Sequence, residues 1–132
     1  MAFFRPRVSR EAEVRYHADQ EISKSYPELL DKARQAEETL LELRAAAADD
    51  IELLAAGREL DRALTGALRA AEAGQRATFG VKAYDDRIAR RKARATPDGR
   101  MWTDEVDRLR TLREANRLWG IPSVPRPVPT TR

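Results

Sequence analysis

Glu13, His17 and Glu21 fall four residues apart, so on a helix they share one face. A carboxylate–imidazole–carboxylate row of this kind has the donors for a divalent metal. Metal sites in helical bundles also need inward ligands from facing helices, commonly as paired Glu-x-x-His motifs. No such pattern occurs here, and the row runs beside the apolar positions Val14, Ala18 and Ile22. It reads as a solvated polar face, and neither metal nor cofactor is expected. The carboxylate pairs Asp49/Asp50 and Asp85/Asp86 are sequence neighbours. Helical neighbours point about 100° apart and do not grip one reacting atom. Ser9, Ser25 and Thr103 are accounted for as helix caps. Gly57, Gly66, Gly74 and Gly80 are isolated, so they make no phosphate loop. The chain reads as a non-enzyme, with no small-molecule substrate.

The second constellation is basic. Arg87 to Arg100 holds six cationic side chains in fourteen residues. On a helix Arg87, Arg90, Arg91 and Arg94 sit at i, i+3, i+4 and i+7 and form one stripe. Arg100, with Arg76, Lys82 and Lys92, extends its reach. Such a stripe can follow phosphates. It can equally complement the negative end of its own helix, or meet the acidic middle of the chain. Residues 27–74 carry eleven acids against six bases, and residues 75–101 carry eight bases against three acids. The two segments are suited to attract each other, within one chain or between chains.

The elements that must position these groups are helices. Ser9 is an N-cap for a first helix, which ends near Ser23 because Pro27 biases Tyr26 away from helical angles. Ser25 and Glu28 match a capping box for a second helix. Leu29, Ala33, Ala36, Leu40, Leu43 and Ala47 then step by four and three, the spacing of a coiled-coil seam, with Glu28→Lys32 as a supporting pair. Ile51, Leu54, Leu64 and Leu68 continue the face. Residues 27–73 make either one rod of about 70 Å or a hairpin broken around residues 48–50, where Asp caps a new helix. Gly74 is the expected end. A third helix, carrying the basic stripe, runs from Gln75 or Phe79 to Ala95. A turn over residues 96–99 stops it. The last helix starts at Thr103, bears Val106, Leu109, Leu112 and Leu118 or Trp119, and stops at Gly120 before Pro122. The tail, with Pro122, Pro125, Pro127 and Pro129, reads as extended.

The chain has 132 residues, 36% of them charged, eight aromatics and no cysteine. A core so poor in aromatics must be built from Leu and Ala, which bury little area each. That favours self-association or a partner. Disulfides are excluded, the apolar start at residues 1–4 is too short for a signal-peptide core, and no window suits a membrane span. Arg outnumbers Lys by 21 to 4, which lowers the weight of any one arginine.

The expected architecture is all-α. It is a long coiled-coil-like helix or hairpin flanked by shorter helices (residues 9–119), with an N-terminal arm (1–8) and a Pro-rich tail (120–132). The leading expectation is a cytoplasmic helical adaptor, scaffold or assembly subunit, of the kind that suits a phage particle or mobile element. It would form a homo-oligomer or bind a protein partner, with no membrane. Its contact face would be Leu29, Ala33, Leu40, Leu43, Ala47, Ile51, Leu54, Leu64 and Leu68, helped by Trp119 and Ile121. The alternative is a nucleic-acid accessory protein using Arg87, Arg90, Arg91, Arg94 and Arg100.

Overall fold

The computed structural model describes residues 8–119. They form five α-helices and one 3-10 turn, and no strand occurs among them. The helices are α1 (Arg10–Ser23), α2 (Tyr26–Ala45), α3 (Asp50–Phe79), α4 (Arg87–Arg94) and α5 (Pro97–Trp119), with the 3-10 turn Val81–Tyr84 between α3 and α4. The fold is all-α, as the sequence pattern indicates. Residues 1–7 of the N-terminal arm, the Pro-rich tail and Ile121 lie outside the described residues, as does the side chain of Trp119.

Helix boundaries follow local chemistry. The Ser9 hydroxyl accepts from the Ala12 amide at 3.1 Å and opens α1. Ser25 does not complete a capping box. Its own backbone is already helical, and its hydroxyl donates to the Ile22 carbonyl at 2.6 Å, closing α1 instead of opening α2. Residues 27–73 are not one rod, because α2 ends at Ala45 and α3 starts at Asp50. The turn after α2 has the hydrogen bonds of a Schellman motif, Ala48 N to Leu43 O at 3.0 Å and Ala47 N to Arg44 O at 3.1 Å. Ala47 takes φ 53°, a conformation normally left to glycine. Asp49 then caps α3 by accepting from the Glu52 amide at 2.8 Å.

α3 does not stop at Gly74. It runs to Phe79 and ends at Gly80, whose φ of 92° suits glycine. The expected third helix is thus divided, with a 3-10 turn separating α3 from α4. Nor does α5 begin at Thr103. Thr96 caps it, accepting from the Gly99 amide at 3.1 Å, and Pro97 fills the first helical position. Thr103 is interior, donating to the Gly99 carbonyl at 2.8 Å and accepting from Gln75 at 3.0 Å. A Cβ on Gly99 would lie 2.0 Å from the Ala93 carbonyl oxygen, so only glycine allows α5 to turn back this tightly from α4.

α3 is the spine, about 45 Å long at 1.5 Å per residue. α1, α2 and α5 all pack against it. Ser9 meets Asp85, Asp19 meets Arg76, and a Cβ on Gly66 would touch Leu29. As α1 and α2 run forward, their partners on α3 and the turn after it run back at the same rate. One antiparallel register therefore spans both helices. α5 returns along α3 through Gln75–Thr103, Arg110–Glu72 at 3.1 Å, Arg117–Asp61 at 2.8 Å and Asn116 to the Gly57 carbonyl at 2.9 Å. The α2–α3 turn and α4 lie at opposite ends of the spine.

The core joins Tyr26, Ala33 and Leu40 of α2 to Leu60, Leu64, Ala67, Leu68, Ala70 and Ala71 of α3 and Val106 and Leu109 of α5. The Leu/Ala seam is thus largely spent inside one chain. Leu29 and Leu43 are half-buried, while Ala47 sits in the turn and Ile51 and Leu54 are exposed, Ile51 at 80%. On α1 the stripe drawn through Val14, Ala18 and Ile22 is the outer side, with Val14 61% exposed. The inner side is Ala12, Tyr16, Asp19 and Ser23, again at helical spacing but largely polar.

Candidate functional site

The basic stretch folds as α4, an eight-residue helix with no buried residue. Asp86 opens it, its carboxylate accepting from the amides of Ile88 at 2.8 Å and Ala89 at 3.4 Å. An acid at the helix start and bases in its last turn both match the helix dipole. Arg87, Arg90, Arg91 and Arg94 are all exposed, as is Arg100 at the start of α5. Asp86 and Arg90, four residues apart, form no ion pair. Arg90 instead donates through Nη1 to the carbonyls of Ala83 at 3.0 Å and Tyr84 at 3.5 Å. Among the described residues, the side chains of Arg87, Arg91, Lys92, Arg94 and Arg100 make no hydrogen bond or ion pair. The acidic surface of α2 and α3 does not reach them. From Arg87 to Arg94 the helix rises about 10 Å, close to three base-pair rises of roughly 3.4 Å along a duplex axis.

Beneath α4 lies a polar cluster that the sequence did not reveal. Asp19 of α1 is 7% exposed. It accepts two bonds from Arg76 of α3, at 2.9 and 3.0 Å, and one from the Tyr84 hydroxyl at 2.5 Å. Burial alone would raise the Asp19 carboxyl. The bonds from Arg76 and Tyr84 and the nearby charges of Arg76 and Arg15 outweigh it, and its pKa falls below the usual value. The same burial and the bond to Asp19 push the Tyr84 phenol well up, and Asp19 holds Arg76 firmly protonated. Ser9 ties the end of α1 to the 3-10 turn, donating to Asp85 at 2.7 Å. These groups fasten α1 and the turn to α3, and so set where α4 stands. No local motif marks Asp19, because its partners lie 57 and 65 residues away.

The cluster makes stability depend on acid. A depressed carboxyl contributes stability above its unfolded pKa and loses it as pH falls through the folded value. Unfolding free energy is therefore expected to hold near neutrality and drop below about pH 4. Asp19→Asn should cost about 1.5–3 kcal/mol at pH 7, the range for hydrogen bonds to a charged group. It should also flatten part of the acid limb. The remaining slope belongs to groups such as Glu105, held low by bonds from Arg108 and Tyr26. Urea titrations at pH 7 and pH 3 on both proteins measure this.

The metal row is not gathered. His17 Nδ1 lies 3.3 Å from Gln20 Oε1, and Glu21 pairs with Lys24 at 2.7 Å. No group of three or more His, Cys, Asp or Glu that could hold a metal occurs among the described residues. Nor, among them, is any helix long and apolar enough to cross a membrane. Comparison with family models, curated proteins and solved structures gave no significant match.

Proposed function

We propose that the chain is a non-enzymatic helical binding protein whose binding element is α4 and whose partner is a nucleic acid. The observation that carries this is the row of cations on α4, exposed and unpaired in a chain rich in acids. An arginine row of this kind, left free at one end of a spine, matches phosphates by charge and by fork geometry. Asp85 and Asp86 oppose an anion. Residues 82–94 nevertheless carry six bases against two acids.

Binding of a labelled single-stranded oligonucleotide, followed by anisotropy across a salt series, tests the reading. Three to four phosphate contacts give a log–log salt slope of about −2 to −3. The triple change Arg87→Glu, Arg91→Glu and Arg94→Glu is expected to lower affinity at least about tenfold while the thermal melt shifts little. Arg90 is left in place because it holds backbone carbonyls. Unchanged affinity in the triple variant, or no binding at low salt, sinks the proposal.

A second reading keeps assembly, now through surface the core leaves over. Leu41 is 54% and Ile51 80% exposed near the α2–α3 turn. Self-association there, in a coiled-coil-like or other packing, would make the chain an adaptor or assembly subunit, and a phage or mobile-element setting rests on composition alone. Light scattering on wild type and Ile51→Asp checks it. A smaller mass for the variant supports assembly, and equal monomer masses end it.

A further inference from the structure

α4 does not stand alone. Between it, α1, α3 and the 3-10 turn lies a cleft of about 100 Å³, lined by Arg15, Arg76, Phe79, Ala83, Tyr84 and Arg90. Three arginines line it, one from each of three helices. Each arginine is held in a different way. Arg76 gives Nε and Nη2 to Asp19. Arg90 gives Nη1 to the Ala83 and Tyr84 carbonyls. Arg15 lies with its guanidinium carbon 5.7 Å from the centre of the Tyr84 ring, and among the described residues it makes no hydrogen bond. Arg76 and Arg90 thus keep free N–H groups after anchoring, and Arg15 keeps all of its own.

We infer that this cleft binds one phosphate group, held between Arg15, Arg76 and Arg90. The charge count supports an anion. Three arginines and no carboxylate line the cleft, and Asp19 pairs with one of them, Arg76. An anion seated among them is attracted by all three. The anchoring bonds fix two of the three guanidiniums beforehand, so less side-chain entropy is lost on binding. Arg90 belongs to both the cleft and the α4 stripe. A strand following Arg87, Arg91 and Arg94 therefore passes the mouth of the cleft. This inference rests on the nucleic-acid reading for the source of its phosphate, while the chemistry also admits free phosphate.

Arg15→Ala tests it, since Arg15 is exposed and unbonded and its loss leaves the Asp19 anchor intact. Two measurements are made on the full chain. The first is the salt titration with single-stranded oligonucleotide. Losing one phosphate contact shortens the log–log slope by about 0.7 and weakens binding about three- to tenfold. The second is titration with inorganic phosphate, followed by amide resonance shifts. The amides of Arg15, Ala83 and Tyr84 should move in wild type, and those of Ala83 and Tyr84 should stay still in the variant. An unchanged salt slope in Arg15→Ala, with phosphate moving none of these resonances, overturns the cleft even if the α4 triple variant abolishes oligonucleotide binding. Phosphate shifts at the cleft without oligonucleotide binding refute the nucleic-acid reading and assign the cleft to a free phosphate.

Discussion

Leu40→Ala is expected to lower the unfolding free energy by about 2–5 kcal/mol, whereas Ile51→Ala changes it by less than about 0.5 kcal/mol. Both residues lie on the apolar face drawn from the sequence. Leu40 is 3% exposed within the core that joins α2, α3 and α5. Truncating it removes transfer energy and leaves a cavity that a close-packed interior fills only in part. Ile51 is in the first turn of α3 and has little packing to lose. Urea unfolding gives both numbers. Leu40→Asp sharpens the contrast, because an unpaired carboxylate inside the core should unfold the chain at every protein concentration. A folded monomer of Leu40→Asp would show that this face is not interior.

The second large effect separates two glycines of α3. Gly74→Ala is expected to destabilise by about 1–3 kcal/mol, although alanine is the better helix former. A Cβ there would lie 2.6 Å from the far edge of the Trp102 indole. That ring is held against Tyr26, with centroids 5.3 Å apart, and the Tyr26 hydroxyl donates to Glu105. Moving the indole therefore disturbs the joint between α2, α3 and α5. Gly57→Ala meets nothing within 4 Å and should stabilise by up to about 1 kcal/mol. Thermal melts read both changes, and near-UV circular dichroism reports the displaced indole. A stabilising Gly74→Ala would mean that Trp102 does not sit on this backbone.

Local chemistry was legible and distant chemistry was not. The caps at Ser9 and Asp49 could be named because donor and acceptor lie three residues apart. The steps from Leu29 to Leu43 drew the inner face of α2, because a heptad pattern is written in near neighbours. Gly74 misled for the opposite reason. What keeps glycine there is Trp102, twenty-eight residues on, and its helix cost alone made it look like an end. α1 was turned the wrong way out because its inner face carries Asp19 and Tyr16, while Val14 and Ile22 face outward. Ser25 and Thr103 are good caps by type, but nearby carbonyls took their hydroxyls. The basic stripe was placed correctly on a helix. The cleft beside it needed α1 and α3 brought to α4, which no spacing along the chain displays.

The two ends of the α3 spine carry opposite charge. Around the α2–α3 turn, residues 37–54 hold six acids and one base, while residues 82–94 at the far end hold six bases and two acids. Separated by most of the spine's length, they make the molecule a permanent dipole. In the field of a polyanion such a body feels a torque as well as a pull. A polyanion bound by α4 would meet the molecule with α4 leading and the acidic end turned away. That orientation would raise the fraction of productive encounters, so salt would slow such association more than it hastens release. The effect fades as the screening length contracts to about 8 Å at physiological ionic strength.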